Sequence, residues 1–190
     1  MCSLRAMETT QPTPELNLPL LKTLVELPGI PGRENRVRKR VEQEVAPLAD
    51  EVYTDNMGNL VARKRGANNP DHHKVMIAAH MDEIGFLVKH IEKGGFLRVH
   101  PLGGFDPQTL IAQRMWVHSR SGDLPGVFAS KPIHLSRGDD KSKLKLDDLV
   151  VDTGLPEDTV RTQIQPGDWL SRQGDLMEMG DCLTAKSLDN

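Results

Sequence analysis

The sequence is 190 residues long, with 24 basic and 27 acidic side chains and a formal net charge of −3 at pH 7. This length is sufficient for one domain, or two small ones, with a buried core. Because there is no basic surplus and only 4% of the residues are aromatic, the composition argues against nucleic acids and anionic membranes as partners.

Residues 1–15 are rich in threonine and proline and predict a disordered tail. No stretch is apolar enough for a signal peptide, or for a membrane span of about 18 residues. The two cysteines, Cys2 and Cys182, are far apart in the chain, a pattern typical of a reducing compartment. We therefore expect a cytoplasmic protein.

Two amphipathic helices are predicted at the start of the folded part. The first has four leucines at helical spacing before a Pro-Gly pair that ends it: Leu20, Leu21, Leu24 and Leu27. The second has an aliphatic stripe opposite a charged face: Val37, Val41, Val45 and Leu48. That stripe predicts a surface helix that buries one side.

A hairpin and a buried strand are predicted next. EVYT and NLVARKRG flank a turn-forming cluster at residues 56–59, as in a β-hairpin. The run KVMIAA, residues 74–79, is apolar after its lysine. Such a run is typical of a strand covered on both faces in a parallel or mixed sheet. Together these elements indicate an α/β layer.

From residue 86 the pattern changes to short β-type segments separated by turns: FLVKHI, GFLRVHPL, RMWVHS, GVFAS and DLVVD. This repetition predicts a small barrel or sandwich, with a helical turn in PEDTVRTQI. Residues 174–190 return to strand-like alternation. We therefore expect a partial α/β domain of residues 16–85 and 174–190, interrupted by an inserted β domain of residues 86–173.

Ionisable side chains follow the predicted buried strand. On a strand, His80 and Asp82 would share a face, so the carboxylate could orient the imidazole toward a ligand. Ligands collect at such strand ends in open α/β sheets. These residues alone leave two interpretations open, a metal ligand or a satisfied polar pair. A glycosidase pair of Asp82 and Glu83 is disfavoured, because neighbouring strand residues diverge and cannot both flank a sugar.

Six segments occur in a recognisable order: LVELPGIPGRENRVR, DNMGNLVARKRG, AAHMDEIGFLVKHIEKGGFLRVHPLGGFDPQ, GVFASKPIHL, QPGDWL and AKSLDN. From about Leu16 to Asn190 the chain closely resembles the tetrahedral (TET) aminopeptidases and glutamyl aminopeptidases, a family of dinuclear metallo-aminopeptidases. The most specific features are AHMDEIG (residues 79–85) and AKSLDN (residues 185–190), called here the two signature segments.

The resemblance implies a zinc-peptidase-like α/β domain with a mixed sheet, incomplete in this chain, and an inserted PDZ-like β-barrel that mediates dimerisation. It also implies a homo-oligomer, from dimer to dodecamer, that cleaves peptide substrates with two divalent metal ions, most often zinc or cobalt. By the same resemblance, His80 binds one metal, Asp82 orients His80, and Asp189 bridges both metals.

In the family the glutamate base and the remaining ligands follow the K-x-L-D motif, whereas this chain ends one residue past Asp189. We therefore expect a metallo-aminopeptidase by family and no activity from the 190-residue chain alone. The alternative is a non-catalytic assembly or binding module that acts through the β insert. The sequence assigns no role to His134.

Overall fold

A computed structural model describes residues 16–66, 74–130 and 144–188. The predicted tail, His134 and Asp189 lie outside these ranges. Within them, no helix is long and apolar enough to cross a membrane.

The helices are α1 (Leu18–Glu26), α2 (Asn35–Val45), α3 (Pro107–Leu110) and α4 (Glu157–Gln163). The strands are β1 (Glu51–Thr54), β2 (Leu60–Arg63), β3 (Gly85–Ile91), β4 (Leu97–Leu102), β5 (Arg114–Ser119), β6 (Gly122–Ser130), β7 (Leu149–Asp152), β8 (Trp169–Arg172), β9 (Met177–Met179) and β10 (Cys182–Thr184). Single 3-10 turns lie at Ala46–Leu48 and Leu146–Asp148.

Both predicted N-terminal helices are present. Helix α1 begins at its cap residue Asn17, whose side-chain oxygen accepts the Leu20 N–H at 3.1 Å. It ends before the Pro-Gly pair, as predicted. In α2, Val37 is buried, but Leu48 is exposed because the α-helix ends at Val45 and a 3-10 turn changes the phase.

The predicted hairpin is also confirmed. Strands β1 and β2 pair antiparallel with Thr54 opposite Leu60. The Asp55 carboxylate accepts the backbone N–H groups of Met57 and Asn59, both at 2.9 Å, and so holds the turn.

Six antiparallel strands form a closed barrel in the order β3-β4-β7-β6-β5-β8. Of the two predicted architectures, barrel and sandwich, the structure therefore has the barrel, which has no free edges. Its interior contains three packed rings: Phe86 lies 4.2 Å from Phe105 and 5.0 Å from Phe128 between centroids. The aliphatic core around them includes Val88, Leu97, Met115, Val117, Leu149, Val151 and Leu170.

The predicted buried strand at residues 74–79 is wrong for this structure. These residues form no strand, and Val75, Met76 and Ile77 are 89%, 88% and 93% exposed. A strand needs neighbours to accept and donate its backbone hydrogen bonds, and no strand of the described residues pairs with this segment. The three sheets seen in these ranges are the two hairpins and the barrel, and all their pairings are antiparallel.

After the barrel the chain returns to α1. Strands β9 and β10 form a second hairpin, in agreement with the predicted strand character. The Leu176 N–H donates to the Glu26 carboxylate at 2.9 Å, and the Ser187 hydroxyl donates to the Val25 carbonyl at 2.9 Å. These bonds hold the returning chain, including Ser187 of the second signature segment, against the C-terminal end of α1.

Candidate functional site

The first signature segment lies between the turn after α1 and the barrel. The Glu83 N–H donates to the Gly29 carbonyl at 2.7 Å, and Ile30 is fully buried. A Cβ atom on Gly85 would clash with the Ile30 side chain and would lie 2.6 Å from the Leu170 carbonyl oxygen. The absence of a side chain at Gly85 therefore permits this close backbone approach.

His80 and Asp82 contact each other as predicted, although the backbone here is irregular. The His80 Nδ1 atom lies 2.9 Å from the Asp82 carbonyl oxygen and 3.2 Å from its carboxylate Oδ1. Because both partners are acceptors, Nδ1 is the donor in this contact, and in the neutral ring the lone pair is then on Nε2. The two side chains are 44% and 38% exposed, so a ligand from solvent can reach this pair.

Glu83, the next residue, is turned inward and forms an ion pair with Lys186 of the second signature segment. The Glu83 and Lys186 side chains are only 5% and 4% exposed, respectively, and Lys186 Nζ also donates to the Leu27 carbonyl at 3.1 Å. Burial raises the pKa of Glu83 and lowers the pKa of Lys186, while their mutual attraction opposes both shifts.

Local sequence patterns do not predict this pair. In the sequence, Glu83 is recognisable only as one acid beside Asp82, and Lys186 only as part of a motif. A usable signal was present, because Glu83 in the first signature segment and Lys186 in the second have opposite charges and each is adjacent to an apolar residue. The 103 residues that separate the two along the chain hid the contact from any local pattern.

Arg172 completes the buried cluster around this ion pair. Its guanidinium donates to the Lys186 carbonyl, and its charge lowers the pKa of Glu83 against the larger effect of burial. Glu83 Oε2 and Arg172 Nε have no hydrogen-bond partner within the described ranges. Since buried polar atoms are normally paired, the cluster has bonding capacity for groups that lie outside those ranges.

The structure brings one predicted ligand and its brace together, namely His80 and Asp82. Asp189 is not described, although it directly follows Leu188, the last residue that is. In residues 16–66, 74–130 and 144–188, no group of three or more histidine, cysteine, aspartate or glutamate side chains is arranged to hold a metal ion. The donor chemistry at His80 suits zinc or cobalt, but a catalytic zinc takes three protein ligands.

An apolar cavity of about 430 Å³ opens beside the His80–Asp82 pair. Helices α1 and α2 and strand β2 form most of its wall, and His80, Asp82 and Ser187 lie at its margin. Its aliphatic lining is Leu21, Leu24, Val25, Val37, Val41, Val45 and Leu60.

A second polar cluster lies on the barrel and has the residue types of a hydrolytic triad. His118 Nδ1 is 2.7 Å from Asp123 Oδ1, and its Nε2 is 2.9 Å from the Ser171 hydroxyl. The Ser171 residue is completely buried, so its hydroxyl cannot reach a substrate. Arg36 of α2 binds the same aspartate through two bonds of 2.6 and 2.8 Å, and the cluster therefore joins a helix to the barrel.

Comparisons with known proteins give a consistent set of relatives. The family model described as M42 glutamyl aminopeptidase matches residues 58–190. The lysyl aminopeptidase of Pyrococcus furiosus is 42% identical over 138 residues, which are 71% of this chain and 39% of that protein.

Solved structures give similar matches. A TET aminopeptidase from a marine sediment archaeon of the Thaumarchaeota superposes with a TM-score of 0.78 at 31% identity, covering 86% of this chain and 46% of the other. The TET1 peptidase of Pyrococcus horikoshii, described as able to assemble into a tetrahedron or a large octahedral shell, gives 0.72 at 32% identity, covering 84% and 47%. The chain thus spans less than half the length of each of these proteins.

Proposed function

Because the chain belongs to the M42 glutamyl aminopeptidase family, we propose that it supplies the N-terminal part of a metal-dependent aminopeptidase that removes N-terminal residues from peptides. The observation that carries the proposal is the accessible His80 imidazole held by Asp82 at its Nδ1 side. The relatives named as aminopeptidases support the reaction class.

In this proposal His80 is a metal ligand through Nε2, and Asp82 is the residue that orients it. A carbonyl or carboxylate behind the far nitrogen of a metal-bound histidine fixes its tautomer and increases its basicity. The Nδ1 contacts of His80 have this arrangement. The alternative, a polar pair that binds no ligand, does not explain why the two side chains contact each other. Both are partly exposed, so water could hydrate each of them separately.

Asp189 is the proposed second ligand, a carboxylate that bridges two divalent metals, zinc or cobalt. Its neighbour Lys186 is held at the first signature segment by Glu83, which supports placing Asp189 near His80. Bound there, the metals would activate a water molecule and polarise the scissile carbonyl. The protein groups of this chain bind and orient, whereas the glutamate base is proposed to lie beyond residue 190.

The barrel is proposed to be the inserted domain, residues 86–173, with a PDZ-like fold and a role in dimerisation. Residues 16–85 and 174–190 then form part of a zinc-peptidase-like α/β domain. The assemblies described for the P. horikoshii relative support a homo-oligomer, from dimer to dodecamer. The cysteine pattern supports a cytoplasmic location.

The 190-residue chain alone is proposed to be inactive, because one described ligand and one undescribed ligand are fewer than a catalytic metal needs. The second candidate function is a non-catalytic assembly module that acts through the barrel. The closed barrel favours it as an independent folding unit, because its core is formed by its own strands.

The test is hydrolysis of short peptides by the complete protein with added zinc or cobalt. His80→Ala is expected to reduce kcat/KM by at least a hundredfold, and a matched control, His100→Ala in the barrel, is expected to leave it unchanged. Equal rates for wild type and His80→Ala would refute the proposed site. Sedimentation of the isolated barrel tests the second candidate: a monomer at high concentration counts against it.

A further inference from the structure

We propose that Glu83 and Lys186 are positioning residues, a buried ion pair that fixes the distance between the two signature segments and thereby sets the spacing of the metal ligands. The inference rests on the proposed function, because it concerns the geometry of the same site.

The position of the pair in the sequence makes it suitable for this role. Glu83 is three residues after His80, and Lys186 is three residues before Asp189. Three residues extend to at most about 11 Å. Each proposed ligand is therefore separated from one partner by only a short stretch of chain, and joining the partners would bring both ligands into one region.

The pair is itself held by rigid backbone. Lys186 Nζ donates to the Leu27 carbonyl at 3.1 Å, and the Glu83 N–H donates to the Gly29 carbonyl at 2.7 Å. On the barrel side, the Arg172 guanidinium donates to the Lys186 carbonyl. The pair thus connects the turn after α1, strand β8 of the barrel and the returning chain.

Stability alone is a weak explanation for two charges in this place. Removing a carboxylate and an ammonium from water costs much of what their attraction returns, so a hydrophobic pair of similar volume would be about as stable. A buried, hydrogen-bonded ion pair restricts the arrangement of its two segments more than an apolar contact does. The best-established role of buried polar or charged groups is to fix the register of two segments relative to each other.

The test compares wild type with Glu83→Gln, Lys186→Met and the double variant, all in the complete protein. Two quantities are measured: cobalt(II) affinity, followed by the visible spectrum of the bound ion, and amide hydrogen exchange of residues 79–85 and 185–190 without metal. The double variant leaves no unpaired buried charge and therefore remains informative if the single variants do not fold.

The expected result is a cobalt affinity roughly tenfold to a hundredfold lower in every folded variant, with a changed cobalt spectrum and faster exchange in both segments. The losses in the single variants should not add in the double variant, because either substitution removes the whole pair. Lys186→Arg, which keeps the charge, should remain closer to wild type than Lys186→Met.

Arg63→Met is the matched control, since it removes a solvent-exposed ion pair with Glu51 on the first hairpin and should change neither quantity. A folded double variant with cobalt affinity within twofold of wild type and unchanged exchange overturns the inference. Failure of wild type itself to bind cobalt or cleave peptides contradicts the proposed function instead, and the exchange measurement still tests whether the pair holds the segments.

Discussion

At the scale of single residues, His118 shows that chemistry-bearing side chains can serve structure. Its bonds to Asp123 and Ser171 satisfy both ring nitrogens, and its ring stacks on Trp169 at 3.8 Å between centroids. The Arg36 guanidinium is the main reason that the pKa of Asp123 falls to about 2. With Asp123 ionised, His118 donates from Nδ1 and accepts the Ser171 hydroxyl at Nε2.

Stability should depend on pH through His118. Burial lowers the pKa of His118 from its usual 6.5, despite the opposing effect of Asp123. As pH falls below 6.5, the usual pKa that applies in the unfolded chain, His118 binds a proton in the unfolded chain but not in the folded protein. The free energy of unfolding therefore decreases. We therefore expect wild type to be less stable at pH 5 than at pH 7.

Urea unfolding of wild type and His118→Gln at both pH values measures this effect. His118→Gln is expected to lose less stability on acidification than wild type, whatever its stability at pH 7. An identical decrease in the two proteins would show that His118 does not take part.

Whether a contact between two residues could be predicted depended on how far apart they are in the sequence. The contact between His80 and Asp82 was predictable because the two residues are close in the chain. The ion pair between Glu83 and Lys186 was not, because only the fold brings these residues together. The ligand role of Asp189 stays a prediction.

At the scale of secondary structure, local patterns predicted most elements correctly. The Pro-Gly pair after α1 and the turn cluster of the first hairpin predicted where these elements end, and short β-type segments separated by turns predicted the strands of the barrel. The failure at residues 74–79 has a different origin. An apolar run indicates that a segment can be buried, but burial also requires a second surface that packs against it. The described residues provide no such surface for Val75, Met76 and Ile77.

The close approach at Gly85 gives a prediction for one element junction. Gly85→Ala should destabilise the protein by about 3 kcal/mol, at the upper end for overpacking, because the Leu170 carbonyl cannot move without distorting β8. The control, Gly104→Ala, places its methyl group in open space and should change stability by less than about 0.5 kcal/mol. Chemical denaturation of both variants measures the difference, and equal effects would contradict the packing described.

The barrel core gives a second prediction at this scale. Phe128 is buried against Phe86, and Phe128→Ala should cost about 3–5 kcal/mol, because it leaves a cavity that the closed sheet cannot fill. Phe96→Ala, at a phenylalanine that is 36% exposed, should cost much less. Thermal unfolding of the two variants measures this contrast, and a similar decrease in Tm for both would argue against a core centred on Phe128.

At the scale of the whole molecule, the family assignment and the fold carry different information. The family follows from motifs that the sequence displays in order, and the match over residues 58–190 confirms it. Within the described residues, the mixed sheet that the family resemblance implies is not present, and the largest sheet is the barrel. Of the proposed site, the described residues contain the contact between His80 and Asp82 and the buried ion pair between Glu83 and Lys186.

The most direct measurement is anomalous X-ray diffraction at the zinc edge from crystals of the complete protein soaked with zinc. The account predicts a peak about 2.0–2.1 Å from His80 Nε2, with the Asp189 carboxylate bound to the same ion and Asp82 behind the imidazole. A protein that binds zinc with no peak beside His80, or with Asp189 remote from that ion, would contradict it.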